Sequence, residues 1–355
     1  MIRSARLLAI VALTAVVTVS CARIGTGSTT NVHPADIYAG ALSASDVRTL
    51  LGDSNWWAGP PSFEVRPLDA ATTSFTERYS VSQVFLHLGS AEALAIRYTV
   101  YDKSSSATTA MTAYQNAYGA SPTSPKVGDA VLYYGLGGSG GAPYITRTLV
   151  RVGQVVVVIG WSRKDGMPSV QQLGRNATKV VDGLKKVMAG KVHASPRPVD
   201  LQQLPPPGLD VTLLGATQLP IEAWVVMANI AIPEAVLQTL QGAGVNDFVY
   251  GDYALNDDTH MEVRTALLTF TSAAGAADWA NTFAPGTPDQ AGIASGYVRT
   301  GGASAAAGEY HYFFIAGTHG GMLVCRPTIE GEAASRACEA PVERTAVAWK
   351  IALGG

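Results

Sequence analysis

Charge is what this chain has least of. Only 15% of its 355 residues are Asp, Glu, Lys or Arg, and acids and bases nearly balance at a formal net charge of −2. Such a surface offers no basic stripe for a nucleic-acid backbone and no polybasic patch for an anionic membrane face, so neither class of partner is expected. Cysteine is scarce as well. None of the three sits at a thioredoxin-like or zinc-site spacing, which removes redox and structural-metal roles and leaves no cofactor to expect.

One apolar run stands out, residues 7–19, preceded by Arg3 and Arg6 and followed by Ser20 and Cys21. It is too short for a comfortable membrane span, and its flanks make residues 1–20 a secretory signal peptide. Thr18, Val19, Ser20 and Cys21 resemble the bacterial lipobox, in which cleavage precedes a diacylglycerol-bearing cysteine that becomes the new N-terminus. The resemblance implies lipidation at Cys21 and a body anchored to the membrane on the outer face of the cell. The alternative is an ordinary secreted protein whose signal contains a cysteine. Residues 21–38, with the small polar run 25–30, read as lipidated cysteine and flexible tether. Removing residues 1–20 takes away Arg3 and Arg6 and makes the balance more acidic. Disulfides persist in such a compartment, and Cys325 and Cys338, thirteen positions apart, are expected to pair. The alternative is two reduced, buried cysteines.

The rest of the chain is written twice. A short helix capped by Ser43 or Ser45 carries Val47, Leu50 and Leu51 on one face and ends at Gly52. Residues 53–61 are rich in turn formers. Alternating runs at 81–88 and 94–101 predict a hairpin, 104–118 a helix, 130–134 a strand, 135–142 a glycine-rich loop, 144–152 and 155–161 a second hairpin, and 169–188 a closing helix. The order returns after residue 208: a helix opened by Pro233, a hairpin at 247–255 and 261–270, a helix at 273–283, a strand at 293–299, a loop at 301–308, a hairpin at 310–315 and 322–327, and a helix at 333–351. Tyr101 aligns with Phe270, Tyr114 with Phe283 and Gly153 with Gly321. The expected architecture is α+β: two tandem modules, 39–190 and 209–355, each an antiparallel sheet with helices packed on one face. Residues 191–208, with Pro205, Pro206 and Pro207 in a row, are the linker.

Few residues invite chemistry. Gly135, Gly137 and Gly140 satisfy G-x-G-x-x-G, but a strand follows where dinucleotide binding needs a helix N-terminus. His260, Glu262, His311 and His319 lie on neighbouring strands, yet no two histidines have the helical spacing of a zinc enzyme, and solvent-facing sheet polars are the simpler reading, so no metal is expected. No G-x-S-x-G or S-x-x-K supports a serine nucleophile. Asp252, Asp257 and Asp258 read as a charged hairpin turn rather than a calcium loop. The candidates for ligand contact are Asn55, Trp56 and Trp57, since adjacent aromatics in a turn stack on sugars or insert among apolar groups. Their alternative role is to plug the module's own core.

With its lipobox and Ala/Gly-rich body, the chain resembles actinobacterial cell-envelope lipoproteins. Each half is similar to the extracellular sensor-domain family of mycobacterial serine/threonine kinases, beginning in the phrase Leu42, Ser43, Ala44, Ser45, Asp46, Val47 before Leu50, Leu51 and Gly52. Those domains often carry two disulfides, whereas this chain has one possible pair, and no site residue carries over. The resemblance implies a non-catalytic, lipid-anchored binding protein engaging an envelope protein or a cell-wall or lipid ligand. The alternatives are a carrier of a hydrophobic envelope molecule, which needs an apolar cavity between sheet and helices, and a cell-wall enzyme, which needs converging acids or histidines.

Overall fold

The computed structural model describes residues 32–63, 77–121, 126–138, 142–194, 199–208, 210–228, 230, 233–257, 261–284, 287–295, 309–328 and 338–355. Residues 1–20 and Cys21 lie outside that set.

The first half runs α1 (Pro34–Gly40), α2 (Ala44–Leu51), β1 (Trp56–Ala58), β2 (Glu77–His87), β3 (Ala93–Tyr101), α3 (Ser104–Tyr118), β4 (Ala130–Leu136), β5 (Tyr144–Val152), β6 (Val155–Arg163) and α4 (Val170–Met188). Its strands form one antiparallel sheet in the order β1-β2-β3-β6-β5-β4. The second half runs β7 (Val211–Pro220), α5 (Ile221–Met227), α6 (Pro233–Gly242), β8 (Asp247–Leu255), β9 (Met261–Thr269), α7 (Ala273–Phe283), β10 (Ala294–Ser295), β11 (Tyr310–Ala316), β12 (His319–Pro327) and α8 (Glu339–Ala352). Its sheet, read from β7, has the order β7-β8-β9-β12-β11-β10, the first sheet over again strand for strand. The turn counterpart of Gly153 (φ 57°) is Gly317 (φ 59°), which joins β11 to β12, and not Gly321, which lies inside β12.

Local chemistry sets the element ends. Ser43 and Asp46 form a reciprocal capping box at the start of α2, and Gly52, at φ 72°, ends it in the left-handed region. In α4 the stripe Leu173, Ala177, Val180, Leu184 and Val187 is buried at helical spacing, which is what holds a helix of otherwise polar composition to the sheet.

Helices cover both faces of each sheet, not one. In the first half α1, α2 and α4 pack on one face, while Ala107, Met111 and Tyr114 of α3 pack with Leu132, Leu149 and Val156 on the other. In the second, α5, α6 and α7 share a core with Phe248, Leu268 and Met322, and α8 covers Tyr253, Val263 and Leu323 opposite. The central strands β6 and β12 are buried on both sides and have no solvent-facing row. This is why β6 opens as an unbroken apolar run, Val155 to Ile159.

The expected tether and linker are partly structured. Pro34–Gly40 is helical and Ile37 is buried, and Asp36 accepts a hydrogen bond from the Ala194 amide at 2.8 Å, so the first folded body begins before residue 39. In the linker, Leu201–Gln203 makes a single 3-10 turn, Leu204 is buried, and Trp349 donates its indole N–H to the Gln203 carbonyl. Elements β1, β7 and α5 occupy stretches where the sequence signals only turns or nothing regular.

Cys325 on β12 and Cys338 at the start of α8 are joined by a disulfide with Cα atoms 6.3 Å apart, both side chains buried. It fastens the last helix to its sheet. Reducing it, or making Cys338→Ser, is expected to lower the unfolding free energy by about 3 kcal/mol. Urea titrations with and without reductant check this, and the loss should be absent in a variant already lacking the bridge.

Candidate binding site

The two halves meet along residues 56–63. Successive residues of a strand face opposite ways, and at β1 this sends Trp56 into the first core and Trp57 into the second. Trp56 packs edge-on against His87 and Trp161, with ring centroids 5.2 and 6.4 Å away, and its carbonyl accepts from Arg48 Nε at 2.9 Å. Trp57 lies among residues such as Leu219, Ile221 and Trp224. The expectation that both indoles stand exposed in a turn for ligand contact is therefore overturned. They are 2% and 8% exposed, because the segment pairs with β2 as an edge strand instead of looping into water. Asn55 is exposed, its amide held by Asp53 and its carbonyl by the Leu88 amide.

Past β1 the segment crosses the second sheet. The Pro61 carbonyl accepts from the Tyr250 hydroxyl at 2.6 Å, the Phe63 amide donates to Asp252 Oδ2 at 2.6 Å, and the Phe63 ring presses on Gly215, where any Cβ would collide with it. Gly215 follows a register shift in β7, so the missing side chain and the irregular strand together admit the ring.

Beneath this crossing lies a buried charge cluster on one face of β8, β9 and β12. Asp252 is opposite Arg264, and Glu262 opposite Arg326. Glu262 Oε1 accepts from Arg264 Nε at 3.0 Å and Oε2 lies 3.5 Å from Arg326 Nε. Nearby, His311 Nε2 is 3.2 Å from Glu309. Burial pulls the Glu262 carboxyl up, but the two guanidiniums outweigh it and hold it at about 2. Burial and the Glu262 charge push Asp252 well above the ordinary carboxylate range, so it keeps its proton. Burial likewise raises Glu309, yet its hydrogen bond with His311 and the charges of Arg326 and Arg264 bring it below its ordinary value. A protonated Asp252 can give its hydroxyl to Glu262, so that one carboxyl donates and the other accepts.

These positions correct three expectations. Glu262 and His311 are 1% and 2% exposed rather than solvent-facing, because helices and the crossing segment cover that face. Asp252 lies within a strand and not in the turn. Asp257 is the exposed turn residue, while Asp258 and His260 lie outside the described residues. His319 is hydrogen-bonded to Thr269, away from His311. Among the described residues no group of three or more His, Cys, Asp or Glu is placed to hold a metal, and no helix is long and apolar enough to cross a membrane. Gly135 lies inside β4, paired with Thr146, and the next element is β5, a strand, where dinucleotide binding needs a helix.

Beside the crossing is a cleft of about 400 Å³. Tyr38, Ser43, Arg48 and Gln83 line it from the first half, and Pro220 and Glu222 from the second. Its volume lies within the range typical of small-molecule sites. Gln83 is 4% exposed and its Oε1 has no hydrogen-bond partner among the described residues. Burial raises the Tyr38 hydroxyl to about 12, so it stays protonated and able to donate. Sequence reasoning missed Arg48, Gln83 and Glu222, since they come together only when the halves dock.

Fold and site thus define a two-module α+β protein with a cleft at the seam between its modules, lined by small apolar residues among which stand Arg48, Gln83 and Glu222. No family model matches the chain, and no curated protein matches it. Among solved structures it resembles the extracellular domain of PknH from Mycobacterium tuberculosis, at 16% identity, covering 45% of this chain and 100% of that one, with a TM-score of 0.36. DynU16, a putative protein in the dynemicin biosynthetic locus, has 13% identity over 84% of this chain and 97% of its own, with a TM-score of 0.12. Neither score is high enough to bear on what this chain does.

Proposed function

We propose that this chain is a non-catalytic binding protein, lipid-anchored on the outer face of a bacterial cell membrane, that takes an envelope or cell-wall ligand in the cleft between its halves. The observation that carries the reading is the cleft itself: the polar side chains of Arg48 and Gln83 from the first half and of Glu222 from the second line it together. The signal-like residues 1–20, the lipobox-like Cys21 and a disulfide support an extracytoplasmic location. A wholly apolar cargo would desolvate Arg48 and Glu222 on the lining without pairing them, which favours a ligand with polar groups over the hydrophobic cargo of a carrier.

Native mass spectrometry of the intact protein, extracted gently from its own membrane, tests this. A small molecule is expected to co-purify with the unaltered chain and to be lost from Ala39→Trp, which places a bulky ring at an exposed position on the cleft wall. An empty chain, or a ligand unaffected by Ala39→Trp, would overturn the reading. Cys21→Ser is expected to release the protein from the detergent phase into the aqueous one.

A further inference from the structure

We infer that the ligand of the cleft is a small zwitterion of dipeptide size, its carboxylate received by Arg48 and its ammonium group by Glu222; this rests on the binding role proposed above. Arg48 and Glu222 line the same cleft from opposite halves. Neither has an ion-pair partner among the described residues, and they do not pair with each other. Arg48 spends its Nε on the Trp56 carbonyl, which fixes the plane of the guanidinium and leaves its two terminal nitrogens to point a fork at a carboxylate.

The alternatives each leave a charge stranded. An apolar ligand would desolvate both Arg48 and Glu222 without pairing either. A simple anion would satisfy Arg48 and be repelled by Glu222, and a simple cation the reverse. A neutral sugar can hydrogen-bond to both but neutralises neither. A molecule with both charges pairs each wall. The Tyr38 hydroxyl, for which no hydrogen bond is found among the described residues, can donate to a backbone carbonyl of such a ligand. Because the two charged walls belong to different halves, the ligand also bridges the seam.

The test is calorimetric titration of the full-length protein in detergent with D-alanyl-D-alanine and L-alanyl-L-alanine, each also as its N-acetyl and its C-terminal amide form. At least one free dipeptide is expected to bind, and masking either charge is expected to weaken it tenfold or more, the scale of one charge-assisted hydrogen bond. Glu222→Gln should bind the free and N-acetyl forms alike while still rejecting the amide, and Arg48→Gln should do the opposite. A merely structural effect of either substitution would not exchange which mask matters. Binding indifferent to both masks, or none by any dipeptide, would overturn the assignment. If none binds but extracted protein holds a molecule that Ala39→Trp removes, the zwitterion falls and the binding role stands. If the extracted protein is empty as well, both fall.

Discussion

Glu262→Ala is expected to cost about 3–5 kcal/mol of unfolding free energy, the scale of removing one partner from a buried ion pair, because Arg264 and Arg326 both lose the carboxylate they pair with. Asp252→Asn should behave quite differently. An asparagine carbonyl can still accept from the Phe63 amide while its NH2 donates to Glu262, as the protonated acid does now. The two wild-type carboxyls also give opposite pH dependences. Asp252 is raised well above its ordinary 3.8, so its contribution is full below that value and fades as pH climbs through its raised one. Glu262 is lowered from 4.5 to about 2, so its contribution is full above 4.5 and disappears as pH falls through about 2. Asp252→Asn removes only the first of these. Its stability should therefore gain on wild type steadily from about pH 4 upward. Urea denaturation at intervals between pH 4 and pH 8 reads this directly, and parallel curves would show that Asp252 carries no proton in the folded state.

The second large effect concerns the tryptophan pair. Trp57→Ala is expected to cost about 3–5 kcal/mol, as large-to-small changes at buried aromatics do, and the loss should fall on the second half although the residue belongs to the first. Calorimetry of the unaltered protein should show one cooperative transition. In Trp57→Ala it should separate into two, the lower one belonging to residues 209–355. Trp56→Ala should lower the first half instead, since its ring lies among Phe85, Trp161 and other residues of that core. If the two substitutions shift the same transition equally, the division of the pair between two cores is wrong.

Much of the fold was legible because it rests on local pattern. The helices Ser104–Tyr118 and Ala273–Phe283 and the strands Tyr144–Val152 and Asp247–Leu255 lie where periodicity put them. The elements that were missed have little local stability of their own. Helices α1 and α5 have seven residues each and β1 has three, lengths at which tertiary contacts, not propensity, decide the state. Strand β7 has Gly215 in its middle and Pro220 at its junction with α5, residues that read as turn formers, so neither period shows. The charge cluster was misread for a different reason. Asp252, Glu262 and Arg264 alternate with apolar residues, which ordinarily marks a solvent face. Phe248, Tyr250, Ala266 and Leu268 on that same face of the sheet were the available sign that it is covered, and what covers its charged end comes from residues 62–63, far away in sequence. The cleft was not legible at all, because its walls belong to stretches about 170 residues apart.

The boundary between the two halves in sequence is thus not the boundary in space. A cut within residues 195–198 would not yield two finished domains: the N-terminal piece would carry an indole into water, and the C-terminal piece would keep a hole where that indole belongs. The pieces are complementary in the way of a split reporter, each incomplete until it meets the other. Two such chains brought together at high concentration have the means to trade partners, the first half of one closing the second half of its neighbour.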